Sequence, residues 1–158
     1  MAKKRDRIAM SHDEIVAFLD EQRTLQVASI DHDGAPHLVA MWFAFWDDRV
    51  AFWTYAKSQK VLNLQRDPRI TVMVESGATY GELRGVVIKG TARIVEDRNE
   101  VLRFGEKVYA RYWGAAEPAL DPERAREAIA VMGAKRVLVI VEPITIMSWD
   151  HRKLDGAY

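Results

Sequence analysis

Between Thr24 and Tyr55 three strand-like runs follow one another with only tight turns between them. Thr24–Ile30 leads through Asp31-His-Asp-Gly34 into Pro36–Trp46, and Asp47-Asp48 leads on into Val50–Tyr55. Turns this short cannot carry a crossover, because parallel neighbours need roughly a dozen or more connecting residues. The runs therefore pair antiparallel, and Asp33-Gly34 supplies the backbone that a hairpin turn requires. The region reads as an antiparallel meander.

The flanking pattern adds helices at the periphery. Ser11-His-Asp-Glu14 has capping-box form, and Ile15, Phe18 and Leu19 make an apolar stripe behind it, so the spacing predicts a helix over 12–22. Ser58 starts a short helix that Asp67-Pro68 stops near Arg66. Arg69–Glu75 is a fourth strand and Leu83–Val95 a fifth, with Gly85 and Gly90 marking a bend or bulge. Asp97 opens a helix with Val101, Leu102, Phe104, Val108 and Tyr112 on its inner face, and Gly114–Leu120 is a loop. Asp121-Pro122 starts a further helix ending near Gly133, and Lys135–Trp149 is a last strand interrupted by Pro143. Strands and helices do not alternate as in a doubly wound sheet. The fold expected is mainly β (α+β): a six-stranded antiparallel closed or split β-barrel with peripheral helices, one domain over 1–158. The basic start, Met1–Arg7, reads as a solvated tail, flexible through residue 10.

Composition removes several classes of chemistry. Lys plus Arg and Asp plus Glu number 23 each, so the net charge is zero, and neither nucleic acid nor an anionic membrane is an expected partner. The absence of cysteine excludes disulfides, thiol catalysis and cysteine-held metal. His12, His32, His37 and His151 lack metal-ligand spacing. No apolar run has the length of a membrane span and no signal-peptide core follows the basic start, so the expected location is cytoplasmic. Acid pairs, a nucleophile elbow and a Walker loop are also missing, and no residue is assigned a catalytic or metal-binding role.

The chemistry-bearing stretch is Phe52-Trp-Thr-Tyr-Ala-Lys-Ser-Gln-Lys-Val-Leu-Asn-Leu-Gln-Arg-Asp-Pro-Arg69. A strand ends there and Lys57, Ser58 and Lys60 fall where a helix begins. Free first-turn amides, the positive dipole end, a hydroxyl and ammonium groups together suit an anion. On the residues alone, a capping serine with solvated lysines weighs slightly more than a binding site. Cations in a first turn oppose the dipole by up to roughly 1 kcal/mol, however, and a bound anion relieves that conflict. Met41, Phe43 and Phe45 alternate with Trp42 and Trp46, so both faces of that strand need cover: a helix, a flat ligand or another subunit. Trp149 with His151, Arg152 and Lys153 reads either as a ligand cover or as a pinned solvated end, the latter favoured.

In its order of pieces the chain resembles the pyridoxamine 5′-phosphate oxidase-like superfamily, including the flavin/deazaflavin oxidoreductase branch. The resemblance rests on Phe52-Trp-Thr, Ser58-Gln-Lys60 and Asn63-Leu-x-Arg-Asp-Pro68 in that succession, after the Pro36-His37 strand. It implies a split β-barrel homodimer with two cofactor sites at the subunit interface, where the doubly apolar sheet would also find cover. The oxidases themselves carry an Arg and a Lys that help hold FMN; counted from Pro36 these positions are Val39 and Ala44, and both charges are gone. The pattern is closer to the branch that resembles coenzyme F420 reductases.

That resemblance implies a reductase passing hydride from a reduced deazaflavin to an unsaturated or conjugated organic substrate. Ser58 and Lys60 would hold the cofactor phosphate, with Lys57, Gln59 and Asn63 supporting. Val39, Met41 and Trp42 would line the ring, Trp53 and Thr54 the ribityl chain, and Lys153 or Arg152 an acidic tail. The alternatives are an FMN-dependent oxidase or reductase of the same fold, and a non-enzymatic protein that stores a cofactor or haem.

Overall fold

A computed structural model describes residues 4–114 and 121–154, so the loop expected at 114–120 lies, beyond Gly114, outside the described residues. Its strands are β1 (Leu25–Ile30), β2 (Pro36–Met41), β3 (Ala44–Trp46), β4 (Arg49–Tyr55), β5 (Arg69–Ser76), β6 (Arg84–Val95) and β7 (Arg136–Asp150). The helices are α1 (Lys4–Ile8), α2 (His12–Glu21), α3 (Gln59–Arg66), α4 (Arg98–Trp113) and α5 (Pro122–Gly133). Short 3₁₀ turns occupy Tyr80–Glu82 and His151–Leu154.

All seven strands form one antiparallel sheet in the order β2-β1-β5-β6-β7-β4-β3. The strand expected over Pro36–Trp46 is thus two strands, at opposite edges of the sheet, and the meander becomes two separate hairpins, β1–β2 and β3–β4. A flat sheet of this width would hold its edges about 29 Å apart, whereas the Trp42–Phe43 link can reach only about 11 Å. The sheet must therefore curl until its edges approach, which gives the half-barrel. Phe43 is completely buried, and its N–H donates to the Tyr112 hydroxyl of α4 at 2.9 Å.

Alternation along the strands divides the apolar residues between two cores. Leu25, Val27, Val50, Phe52, Val72, Val74, Val137 and Val139 point inward, where Phe18 and Leu19 of α2 and Val61 and Leu64 of α3 join them. Ala51, Trp53, Leu138 and Ile140 point outward, against Val101, Phe104 and Val108 of α4 and Ile129 of α5. Val137–Val141 is consequently buried on both faces, the expected state of a continuous apolar run. Phe43, Met41 and Phe45 fall in the inner core and Trp46 in the outer one, so helices supply the cover anticipated for the second face.

Local signals act as their chemistry demands. The Glu14 N–H donates to Ser11 Oγ (3.3 Å) and the Ser11 N–H to Glu14 Oε2 (2.6 Å), closing the capping box. Asp47 and Asp48 both take the left-handed conformation (φ 47° and 60°) in the β3–β4 turn, which Asp tolerates well. Residues 4–8, expected to fray, instead form α1. Met10 just beyond is buried, its N–H donates to Ser148 Oγ (3.0 Å), and Lys153 Nζ donates to the Ala9 carbonyl (2.8 Å). The segment docks because Ser148 of β7 and Lys153 of the 3₁₀ turn after it both bond to it.

The β6–β7 register shifts between Lys89, paired with Thr145, and Gly90, paired with Pro143, so Ile144 of β7 is the extra residue and Gly90 faces the bulge; Gly85 keeps register and lies under the Trp149 ring. A Cβ on Gly90 would stand 2.0 Å from the Glu142 carbonyl oxygen, which is backbone and cannot swing away. Gly90→Ala is expected to destabilise the fold by about 1–3 kcal/mol in chemical denaturation; an unchanged midpoint would contradict the bulge.

Candidate functional site

The start of α3 gathers an ammonium and two hydroxyls. Thr54 is the last inward-facing residue of β4 and is buried (4% exposed). Two turn residues later the chain enters α3 through Ser58, which sits at the N-cap with extended backbone. The Ser58 hydroxyl makes no capping bond; it lies 3.4 Å from Thr54 Oγ1 instead. Lys60, in the first turn, folds back so that Nζ donates to the same Thr54 oxygen at 3.1 Å.

Lys60 is half-buried, and the loss of hydration pushes its ammonium below the usual lysine value. Among the described residues no carboxylate pairs with it. A partly desolvated cation held by a neutral hydroxyl is poorly compensated. Beside it opens a groove of about 630 Å³ lined by Tyr55, Ala56, Lys57, Ser58 and Lys135. The donor set of hydroxyl, ammonium and uncapped first-turn amides suits a phosphate monoester or diester.

The other residues singled out from the sequence divide into three groups. Lys57 lines the groove and is exposed. Gln59 and Asn63 turn the other way: Asn63 is fully buried, its Nδ2 donates to Ser29 Oγ (3.2 Å), and its Oδ1 accepts from Gln59 Nε2 (2.9 Å) and Arg66 (3.3 Å). Gln59 reaches on to Asp31 (3.2 Å) and Arg66 to the Ile30 carbonyl (2.6 Å). These side chains fix α3 against the β1–β2 hairpin and thereby position Ser58 and Lys60.

Val39 and Met41 are half-buried and pack against the inner core from edge strand β2. Trp42 leaves that edge and stacks on Tyr112 (centroids 4.4 Å apart), remaining 45% exposed. Trp53 is buried in the outer core, with the Arg136 guanidinium 4.8 Å above its ring, on the strand face opposite Thr54. Arg152 and Lys153 are committed within the chain, to Asp150 (2.6 Å) and Glu14 (2.7 Å). Lys135 was missed from the sequence because it lies far along the chain, although Lys135-Arg136 ahead of an apolar strand was a visible basic pair.

The unpaired charge of Lys60 has a cost in the ligand-free protein. Its folded pKa is lowered, so the penalty is fully present below that value and fades as pH rises toward the ordinary lysine value. Lys60→Met is expected to raise the melting temperature at neutral pH, with the gain shrinking at alkaline pH. A lower melting temperature at every pH would mean that the ammonium is already well satisfied.

Comparison with known proteins places the fold. Residues 11–141 match the family described as pyridoxamine 5′-phosphate oxidase. The structure of the conserved hypothetical protein Rv2991 from Mycobacterium tuberculosis superposes with a TM-score of 0.90 at 42% identity, covering 99% of this chain and 95% of that one. An F420 reductase shares the fold with a TM-score of 0.58 at 24% identity, over 78% of this chain and 88% of its own. HutZ, the haem storage protein of Vibrio cholerae, shares it at 0.66 and 17% identity, over 87% and 94%. No curated protein sequence matches. By the family match across most of its length, the chain belongs to the pyridoxamine 5′-phosphate oxidase-like family of split β-barrels.

Proposed function

We propose that this protein is an oxidoreductase that binds the deazaflavin coenzyme F420 and reduces an unsaturated or conjugated small organic substrate. The observation that carries the reading is the uncompensated Lys60 ammonium beside Thr54 and Ser58, at the start of a helix whose N-cap hydroxyl does not cap. In this reading Ser58 and Lys60 hold the cofactor phosphate and Thr54 orients them. Lys57 adds charge, and Gln59 and Asn63 keep α3 in place. Val39 and Met41 provide an apolar wall that excludes water from the ring, with Trp42 at its edge. The bound cofactor supplies the hydride chemistry; the protein supplies position and electrostatics.

F420 is preferred to FMN because the two cationic positions of the FMN oxidases are apolar here. Val39 packs on the core and Ala44 is buried, so neither position adds charge beside a flavin phosphate. A second copy of the chain is part of the proposal. Leu38 and Ile144 stand 65% and 75% exposed on the sheet, and a homodimer would cover them and complete each site from the neighbouring subunit.

Titration of the purified protein with F420 and with FMN, followed by tryptophan quenching, tests the reading. Wild type is expected to bind F420 at micromolar concentration or tighter and FMN more weakly. Lys60→Ala is expected to lose about tenfold or more, the order of a hydrogen bond to a charged group. Tighter binding of FMN would return the protein to the oxidase branch, and binding of neither would remove the redox reading.

A further inference from the structure

We propose that Ser58, Thr54 and Lys60 form an acyl-transfer relay, with which the cofactor-free protein cleaves short-chain esters through an acyl-serine at Ser58. This is a second activity of the same cluster and does not depend on the cofactor reading. Ser58 carries the one aliphatic hydroxyl among the residues that line the groove of about 630 Å³ beside α3. Its oxygen has no capping bond and lies 3.4 Å from Thr54 Oγ1, which is in turn 3.1 Å from Lys60 Nζ. Nucleophile, bridging hydroxyl and amine thus follow one another in the order that a lysine-activated serine requires. Contacts of this kind are often long before substrate binds, and tighten with it.

Each member of the relay suits its part. Thr54 is 4% exposed, so its hydroxyl exchanges protons with Ser58 and Lys60 rather than with bulk water. Lys60 is half-buried, and burial lowers its ammonium below the ordinary lysine value. No charged side chain contributes to that shift; Lys57 and Lys135 are the cations on the groove wall. A lysine in this state gives up its proton more readily and can act as a base. As an amine, Nζ accepts from Thr54, and Thr54 accepts from Ser58.

The surroundings supply the remaining needs of acyl transfer. Val61 and Leu62 are the first amides of α3 to bond back, both to the Ser58 carbonyl. The amides of Gln59 and Lys60 before them have no acceptor among the described residues. The amide that follows a nucleophilic serine is a common oxyanion donor, and here it belongs to Gln59. Tyr55, Ala56 and the stems of Lys57 and Lys135 give the acyl chain an apolar seat. A phosphate held at the same donors would block the reaction, so the two uses exclude each other.

In the step, Ser58 Oγ bonds to the ester carbonyl carbon while its proton passes to Thr54 and the Thr54 proton to the Lys60 amine. The bond from that carbon to the leaving alcohol oxygen then breaks, and the oxygen takes a proton back along the same path. Water repeats the sequence on the acyl-serine and releases the carboxylic acid. No group is oxidised or reduced, and water is the co-reactant.

The test is reaction of the cofactor-free protein with p-nitrophenyl butyrate and with a fluorophosphonate, which marks an activated serine. Wild type is expected to turn over the ester and to carry the phosphonyl group on Ser58, located by peptide mass spectrometry. Ser58→Ala is expected to lose both. Lys60→Met and Thr54→Val are expected to slow both by about a hundredfold or more, the scale of general base catalysis. Thr54→Ser keeps the bridging hydroxyl and is expected to recover the rate, which separates the relay from a purely structural need for Thr54. Circular dichroism checks that each variant is folded. The wild-type rate is expected to rise with pH through a value below that of ordinary lysines, and Lys60→Met to lack that rise. An unlabelled Ser58 overturns the relay, as does labelling at the wild-type rate in Lys60→Met and Thr54→Val, or acylation of Lys60 in place of Ser58. With no cofactor present, a negative result leaves the F420 titration to decide the cofactor reading by itself.

Discussion

The two-residue link Trp42–Phe43 is the constraint on which the rest of the molecule depends. It joins the two edge strands of a seven-stranded sheet, so the sheet cannot lie flat. Burial of the Phe43 ring, its N–H bond to Tyr112, and the bond from the Tyr112 hydroxyl to the Arg23 carbonyl (2.8 Å) hold the closure. Arg111 reinforces it from the same helix, pairing with Asp20 and donating to carbonyls at the end of α2 while its guanidinium lies over Phe43. α3 packs Val61 and Leu64 into the inner core near the end of β4, which brings its N-terminus beside Thr54.

The polarity of that end follows from the same geometry. The inner face of a strand that reaches a barrel rim meets both core and solvent, and here the rim residues are Ser29 and Thr54 rather than valines. Asn63 satisfies Ser29 from inside, and Gln59, Arg66 and Asp31 extend the bonding outward to the hairpin. Among the described residues Thr54 bonds only to Ser58 and Lys60. One half of the rim is internally complete and the other half retains unneutralised charge. Proteins keep such a local deficit where a ligand repays it.

Features settled by neighbouring residues were legible in the sequence: the capping box at Ser11, the Asp121-Pro122 helix start, the hairpin turns and the bulge near Gly90. Features settled by closure were not. Pro36–Trp46 alternates like one strand, and only the distance between sheet edges divides it at Trp42–Phe43. At the site, the proximity of Ser58 and Lys60 was readable because they are near neighbours in the chain, whereas the Thr54 hydroxyl, expected along a ribityl chain, joins them only once β4 and α3 are folded together. Asn63 looked like a ligand contact because its partner Ser29 is remote in sequence, and Lys135 went unseen for the same reason. Trp53 is a different case: strand alternation alone puts it on the face opposite Thr54, under α4 and α5.

The central claim is that Lys60 awaits a phosphate. The most direct measurement is the titration of its side-chain ammonium by heteronuclear NMR, in the free protein and with a phosphorylated or a dephosphorylated ring cofactor. The account predicts a value below that of ordinary lysines in the free protein, raised by the phosphorylated form and unmoved by the other. The same titration curve in all three states would contradict it.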